Sequence, residues 1–547
     1  MTKDSAAYLS PDPVLDGSKL VADYFSDPSS LLDWYGRSPK SDGDLSELAE
    51  SLVAANYPRD EAAQVLRRQQ TAYTTDPTVD ANIGRLTDGA LAVITGQQVG
   101  LLTGPVYTIY KALTAIALAD SLEKRLAHPV VPMFWMAADD HDIDEIDHVD
   151  IFDSDGRINT MSYRPAAAKT GTRTGHIRLD DKITSWRKEV WAALPNAEWT
   201  RQIADMINDA YRPGKTLAES FAALLSSLLI GRGLVIINPA DSELKRLMLP
   251  AFMKELDEPS AFGVEMTARS QKLESDGYHA QVAVATGSTA LFCDCDENIR
   301  RRVDILDSGL LRLNGTARLH LPQELARIAE ETPDVLSPNA LLRPVCQDTV
   351  FPTIAVVMGP AEIAYMGQAA PIYERHGVTM PMVIPRARFI VVDQSSARSL
   401  EVLGLQVHDA MKEPDRLFGE VVGRRTDGSC DPSFEELCQT ITDGFGRLEE
   451  RIAGDMPEMV DVIHSRMRTA LAQVFRIEIK LRQVQRKRNG DLRVAAHRLA
   501  QYLYPKNGLQ ERVYNVVPFF AACGAEFIDR VAEAIDVDDW RQKILWL

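Results

Sequence analysis

Residue types suited to chemistry gather in a few short stretches of this chain. The first is Thr95-Gly96-Gln97-Gln98-Val99-Gly100-Leu101-Leu102-Thr103-Gly104-Pro105-Val106-Tyr107-Thr108. Gly96, Gly100 and Gly104 recur every four residues and let a backbone approach a ligand closely. Free N–H groups at the start of the helix that follows favour an anion by about 0.3–1 kcal/mol. The segment therefore suits a phosphate or a carboxylate, or is a structural turn flanked by two glutamines. It lacks the Gly-Lys-Ser/Thr of a Walker A loop and the spacing of the dinucleotide fingerprint. Lys111, one turn into the helix, either reaches a bound phosphate or is solvated.

The second stretch is Asp140-His141-Asp142 with Glu145 and His148. A helix starting here would project His141, Glu145 and His148 from one face. A histidine beside carboxylates suits a general base, because its ordinary pKa lies near the working pH and acids hold its tautomer. The same three residues could instead ligate a metal, although the pattern is not H-E-x-x-H, or form a structural polar cluster. The third stretch runs from Ser337, Asn339 and Arg343 through Gln347 to Gly359, Glu362 and Tyr365, followed by Arg386 in Met382-Val383-Ile384-Pro385-Arg386. Arg343 and Arg386 could clamp carboxylates bidentately, or each could serve a structural salt bridge. Cys293 and Cys295 alternate along a predicted strand, which places them on opposite faces and argues against a shared metal.

The elements around these residues read as α/β. Apolar runs at Ala90–Ile94, Pro129–Met136, Leu234–Asn238, Gln281–Ala285, Ala290–Cys293, Thr353–Met358 and Met382–Ile384 predict strands, several apolar on both faces as in a mostly parallel buried sheet. The pattern Tyr107–Leu118 predicts a helix after the first, and the acidic cluster then falls beyond the carboxyl end of the second, where ligands bind in open α/β sheets. Leu45, Leu48 and Leu52 mark helices in the first ninety residues that pack onto the core. Late in the chain Val460, Met467, Val474 and Leu481 fall at heptad position a, with Ile463, Ala470, Ile477 and Val484 at d. Phe434, Leu437, Ile441, Leu448 and Ile452 repeat similarly, and Gly454 and Pro457 between them allow an antiparallel hairpin.

With 547 residues, 45% of them hydrophobic, the chain exceeds one ordinary core and predicts an enlarged domain with insertions. A net charge of -18 argues against nucleic acid and anionic membranes as partners. The basic run Lys480 to Arg488 reads as a solvated helix face. No apolar stretch reaches the roughly eighteen residues that span a bilayer, and the first residues lack a signal-peptide core, so a cytoplasmic location is expected. Six scattered cysteines predict reduced thiols. The expected divisions are an N-terminal helical segment over 1–90, a first core part over 91–154, an insertion over 155–235, and a continued core over 236–392 with a second insertion around 295–340. A coiled-coil domain over 393–503 and a returning segment over 504–547 complete the chain. The turn in Leu503-Tyr504-Pro505-Lys506-Asn507-Gly508-Leu509-Gln510-Glu511-Arg512 reads as structural.

In order, TGQQVGLLTGPVYTIYKALTAIALA, VPMFWMAADDHDIDEIDHVDIFD, LLRPVCQDTVFPTIAVVMGPAEIAYMGQ, PMVIPR and LYPKNGLQER closely resemble the cysteine ligase family of bacillithiol biosynthesis, BshC, over about residues 93 to 530. Asp139 stands where that family usually has a glutamate. The resemblance implies a Rossmann-like core with two connecting-peptide insertions, an α-helical coiled-coil domain and a homodimer formed through it. It also implies the reaction, in which the carboxyl group of L-cysteine joins the amine of glucosaminyl-malate as an amide to give the low-molecular-weight thiol bacillithiol. Free carboxylate and ammonium do not condense usefully in water, so an acyl-adenylate or acyl-phosphate drawn from ATP is expected. No metal is expected beyond a magnesium ion accompanying the nucleotide. His141, oriented by Asp140 or Asp142, would take the amine proton, a role worth about 10² to 10⁴ in rate. Gly96, Gln97, Gln98, Gly100, Thr103, Gly104, Tyr107 and Lys111 would bind nucleotide phosphate or a carboxylate. Asn339, Arg343, Gln347, Gly359, Glu362, Tyr365 and Arg386 would bind substrate, the two arginines on malate. The competing readings are a metal-dependent amide hydrolase built on His141, Glu145 and His148, and a non-catalytic metabolite-binding scaffold.

Overall fold

Five apolar runs become parallel strands, β1 (Leu91–Gln97), β2 (Val130–Met136), β3 (Val235–Ile237), β4 (Thr353–Met358) and β5 (Met382–Pro385). The computed structural model describes residues 8–9, 18–154, 156–295, 299–425, 432–488 and 490–547. The strands lie in the order β3-β2-β1-β4-β5, each pair parallel, so the strand order reverses between β1 and β4. This is the doubly wound, Rossmann-like arrangement, whose reversal point opens a crevice at the carboxyl ends of the strands.

Alternation along the strands divides the interior between two faces. Ala92, Ile94, Met133 and Val356 enter one buried cluster, and Leu91, Val93, Val357 and Ile384 enter the other. The second cluster is completed by Ala115, Leu118 and Leu122 of α1 (Tyr107–Leu126) and by Leu45, Leu48 and Leu52 of the helix Asp42–Ala54. The N-terminal helices therefore cover a sheet face, as their leucine spacing predicts. Helix α2 (Pro360–His376) joins β4 to β5.

Two long excursions interrupt the sheet. Between β2 and β3 lie the hairpin of His148–Phe152 with Ile158–Ser162 and the helices Ile183–Ala193, Thr200–Ala210 and Leu217–Leu228. Between β3 and β4 a five-stranded antiparallel sheet includes Ser288–Cys293, Arg301–Ile305 and Leu336–Pro338. Ala290–Cys293 thus belongs to this sheet rather than to the parallel one. Gln281–Ala285 is not a strand. The Val282 N–H donates to Gln368 Oε1 (2.8 Å) and the Gln368 amide donates to the Val282 carbonyl (3.0 Å), so a side chain takes the place of a ladder. The strand ends at Cys293, and the Cys295 N–H sits 3.3 Å from Cys293 Sγ, which corrects the opposite-face placement. Cys293, Cys295, Cys346, Cys438 and Cys523 are not joined in disulfides, and Cys430 lies outside the described residues.

Residues 392–508 form a second compact unit, while residues 509–547 return to the first. Within the second unit, α3 (Pro432–Ile452) and α4 (Val460–Arg488) make a hairpin in which His464 Nε2 meets Glu449 Oε2 at 2.9 Å. Ile463 and Val474 are buried, and Val460, Met467 and Ala470 are half-buried along the same seam. The seam does not hold over all four heptads, because Ile477 (60%), Leu481 and Val484 are exposed. On α3 the half-buried stripe passes through Phe434, Ile441 and Ile452, leaving Leu437 and Leu448 outside. The side chains of Arg482, Arg486, Lys487 and Arg488 in the basic run lie outside the described residues. No helix among the described residues is long and apolar enough to cross a membrane.

Leu118 is 2% exposed between α1 and the sheet. Leu118→Ala is expected to cost ~2–5 kcal/mol through lost transfer energy and a residual cavity. Urea denaturation checks this, and an unchanged midpoint would show that the α1 face does not carry the core.

Candidate active site at the carboxyl edge of the parallel sheet

A cavity of ≈ 640 Å³ opens at the reversal point. Every strand of the parallel sheet reaches it at or just beyond its carboxyl end, through Gly96 and Gln97 of β1, Trp135 of β2, Pro239 after β3, Gly359 after β4 and Arg386 after β5. The glycine-glutamine turn and the Asp-His-Asp cluster therefore meet in one crevice. Phe292, Arg300 and Asn339 of the antiparallel excursion close another wall.

The turn works differently from a phosphate loop. Gly96, Gln97, Gln98 and, at the start of α1, Tyr107 line the cavity, whereas Gly100, Thr103 and Gly104 do not. The Leu101 N–H donates to Ile146 O (3.3 Å), Leu102 N–H to Tyr211 Oη (2.7 Å) and Val106 N–H to Tyr514 O (2.7 Å). These three amides are thus consumed inside the protein. The glycines answer local crowding instead. A Cβ on Gly96 would stand 2.7 Å from the Trp135 carbonyl oxygen of the neighbouring strand, and Gly104 has φ +72°.

Lys111 is buried rather than solvated. Its Nζ donates to Gly96 O (2.8 Å) and Gln97 Oε1 (3.0 Å) and pairs with Glu362. Burial pulls its pKa down, and Glu362 opposes that shift. Glu362 Oε2 also accepts the Gly359 N–H (2.8 Å), capping α2. The Gln97 amide donates to Tyr107 Oη (3.0 Å). Gln98 Nε2 donates 2.6 Å bonds to both Asp140 Oδ2 and Glu145 Oε2, so one amide holds two carboxylates together at the cavity.

The acidic cluster is a loop, not a helix face. Ile143–Glu145 forms a single 3₁₀ turn and His148 already begins a strand, where it is exposed and 3.1 Å from Asp147. His141, Glu145 and His148 do not share a face, and His148 does not line the cavity. Among the described residues no group of three or more His, Cys, Asp or Glu is arranged to hold a metal. Asp142 is exposed and outside the cavity, and its N–H donates to Asp140 Oδ1 (3.4 Å).

His141 is oriented by Arg300 rather than by an aspartate. Arg300 Nη1 lies 2.9 Å from His141 Nδ1, while Asp140 Oδ1 is 3.8 Å away. Burial and the Arg300 charge push the His141 pKa down. Arg300 itself is drawn down to about 10 by burial. Behind the cluster, Asp139 pairs with Arg173 and Lys245. Burial pushes its carboxyl up, but those two cations outweigh burial and hold it below the ordinary range.

Arg386 is not free to clamp a substrate. Its Nη2 and Nη1 donate to Glu511 Oε1 (2.6 Å) and Oε2 (3.0 Å), and both side chains are buried. Arg343 donates to Gln347 Oε1 (3.0 Å), and Gln347 lies behind the cavity, donating to Asp348. Asn339 lines the cavity while its Oδ1 holds the turn before the next helix, accepting the Leu341 and Leu342 N–H groups. Tyr365 lines the cavity beside Arg343. Arg512, in the turn whose sequence reads as structural, also lines the cavity; it is exposed and has no carboxylate partner among the described residues. Arg300, Glu511 and Arg512 are the site residues that sequence reasoning missed.

A family model for the bacillithiol biosynthesis BshC N-terminal Rossmann-like domain matches residues 8–387, and one for the BshC C-terminal coiled-coil domain matches residues 389–547. A BshC of Salinibacter ruber is 30% identical over 539 residues, covering 98% of this chain and 97% of its own. A BshC of Koribacter versatilis is 30% identical over 517 residues, covering 94% and 95%. One of Heliobacterium modesticaldum is 31% identical over 507 residues, covering 90% and 91%. All three carry the provisional name cysteine ligase.

Removing one partner of a buried ion pair strands the other charge. Arg386→Met is expected to lower stability by ~3–5 kcal/mol in urea denaturation, and Arg386→Met with Glu511→Leu to regain most of it. A stable single variant whose only defect is weaker substrate binding would make Arg386 a clamp after all.

Proposed function

The chain belongs to the BshC family of bacillithiol biosynthesis, and on that premise we propose that it is the ligase that joins L-cysteine to glucosaminyl-malate, working in the cytoplasm. The observation that carries the reading is the single crevice at the sheet reversal. There the carboxylates Asp140 and Glu145, both held by Gln98, line one cavity with His141 and with Arg512, which has no carboxylate partner among the described residues. In the step proposed, the glucosamine nitrogen attacks the activated cysteine carbonyl and an amide bond forms. The leaving group departs with its bonding pair, and the amine proton passes to the Asp140–Glu145 pair. Among the described residues Glu145 accepts one hydrogen bond, on Oε2, which leaves Oε1 for that proton.

A nucleoside triphosphate would supply the leaving group by converting the cysteine carboxylate into an activated acyl. Its phosphates would meet Arg343 beside the first turn of α2 rather than backbone amides there, because Glu362 takes the Gly359 N–H and Pro360 has none. The malate carboxylates of the acceptor call for the same kind of cation. Arg512 at the mouth suits them better than Arg386, which Glu511 neutralises. The exposed apolar side chains Phe475 (54%), Ile477 and Ile479 on α4 support a homodimer made through the helical hairpin.

Purified protein incubated with glucosaminyl-malate, cysteine and ATP is expected to yield bacillithiol by mass spectrometry, and none when any component is omitted. Product without ATP would remove nucleotide activation, and no product from the complete mixture would remove the ligase reading. Arg512→Ala is expected to raise KM for glucosaminyl-malate roughly 10- to 100-fold with little change in kcat, as loss of a charged hydrogen bond worth about 1.5–3 kcal/mol requires. An unchanged KM would free that arginine of the role. Phe475→Lys with Ile477→Lys is expected to give monomers by sedimentation; a persistent dimer would place the interface elsewhere.

A further inference from the structure

Arg300 reaches His141 from a different part of the fold. It stands at the start of the strand Arg301–Ile305 in the antiparallel excursion, whereas His141 belongs to the loop after β2. Each polar edge of its guanidinium has a fixed acceptor. Nε donates to Ser337 Oγ (2.9 Å), Nη2 to Pro338 O (2.7 Å), and Nη1 points at His141 Nδ1 (2.9 Å). The guanidinium also lies over the Phe292 ring, 3.8 Å from its centroid, and the His141 ring packs against the same phenylalanine at 5.7 Å. The group is thus clamped by two protein oxygens, an aromatic face and the histidine.

A guanidinium carries donors only. The 2.9 Å contact is therefore a hydrogen bond only if Nδ1 presents its lone pair, and a neutral imidazole with a lone pair on Nδ1 carries its proton on Nε2. Protonating His141 would turn Nδ1 into a second donor facing Nη1 and set two cations in contact. The groups that would favour such a cation, Asp140 at 3.8 Å and the exposed Asp142, belong to the same loop and are already occupied or solvated. The elements packed against the ring from outside that loop contribute the cation Arg300 and the apolar Phe292.

We propose that Arg300 is a positioning residue that locks His141 as a neutral imidazole with its proton on Nε2. His141 then serves the reaction as a hydrogen-bond donor to the oxygen of the carboxyl group under attack, not as the acceptor of the amine proton. The second part rests on the ligase reading, while the lock stands on the contact itself. A donor aimed at the developing oxyanion strengthens as charge builds there, which is the interaction that accelerates acyl transfer. The division of labour follows: the carboxylates held by Gln98 take the proton, and His141 and its arginine receive the charge.

The lock is read without turnover. In full-length protein labelled with ¹⁵N-histidine, long-range ¹H–¹⁵N spectra should contain one imidazole, missing in His141→Gln, that keeps the neutral Nε2–H pattern from pH 5.5 to 8.5. In Arg300→Met the same signal should titrate near the ordinary histidine value of about 6.5. Arg300→Lys, which retains a charged donor, should leave it locked. A wild-type His141 signal showing Nδ1–H or a cation at pH 7 overturns the lock, even if Arg300→Met fails to fold. For the donor role, His141→Ala should lose about 10²–10³ in kcat, as removal of an oxyanion donor does. His141→Gln, whose amide can donate from the place of Nε2, should recover at least tenfold of that loss with an unshifted pH profile. Equal inactivity of the two variants overturns the donor role. Absence of product in every protein, wild type included, rejects the ligase reading while the spectra still decide the lock.

Discussion

A buried ammonium at the sheet reversal is the contact on which the crevice depends. Lys111 is 3% exposed and ties the end of β1, through Gly96 O and Gln97 Oε1, to the first turn of α2, through Glu362. Strand order reverses between β1 and β4, so no ladder hydrogen bonds span the space beyond their carboxyl ends. Lys111 fills that gap with charge-assisted bonds, and Glu362 passes the constraint on by capping α2 at Gly359. Removing the ammonium would strand Glu362 and unpin Gln97. Gln97 in turn holds Tyr107, whose ring lies 5.1 Å from the Arg386 guanidinium.

The charges in the cavity divide into those spent on the fold and those left for ligands. Arg386 belongs to Glu511, Lys111 to Glu362, and Asp139 to Lys245 and Arg173. Such pairs are costly to desolvate and costlier to break, so they fix geometry more than they add stability. What remains facing the cavity is a short set: the Asp140–Glu145 pair on Gln98, the Nε2 edge of His141, the remaining donors of Arg343, and Arg512. A site built to bring an anionic acceptor to an activated carboxyl needs just these two functions, cations for the anion and a proton acceptor for the amine.

Local features were legible in the sequence where chemistry is local. The apolar runs of β1, β2, β4 and β5, the glycine turn, and the placing of Asp140 and His141 beyond a strand end all follow from patterns within about ten residues. The two glutamines, unusual beside a plain turn, do organise the site. A helix over His141 to His148, one of the readings the spacing allows, does not form; Asp140 Oδ1 accepts the His141 N–H (2.7 Å), a local turn that competes with helix initiation. The role of Arg386 was not legible because its carboxylate comes from Glu511, 125 residues on. Arg343 and Arg386 look alike in sequence and differ only in what the fold brings to them. The uninterrupted heptads of α4 read correctly as helix, yet Ile477, Leu481 and Val484 are exposed.

The antiparallel excursion is what makes the crevice specific. A doubly wound sheet supplies strand ends and a helix start, and these bind many anions without choosing a reaction. Here the excursion adds Phe292, Arg300 and the Pro338 carbonyl, and they act on one ring of the core loop. A histidine flanked by Asp140 and Asp142 would, left to those neighbours, be drawn towards its cationic form and the tautomer a base requires. Arg300 reverses both tendencies from across the cavity. It can do so because Ser337 and Pro338 hold its other two edges and keep the guanidinium on the histidine. The insertion therefore decides which way the proton on His141 points, and with it whether the imidazole or the carboxylates are left to accept one.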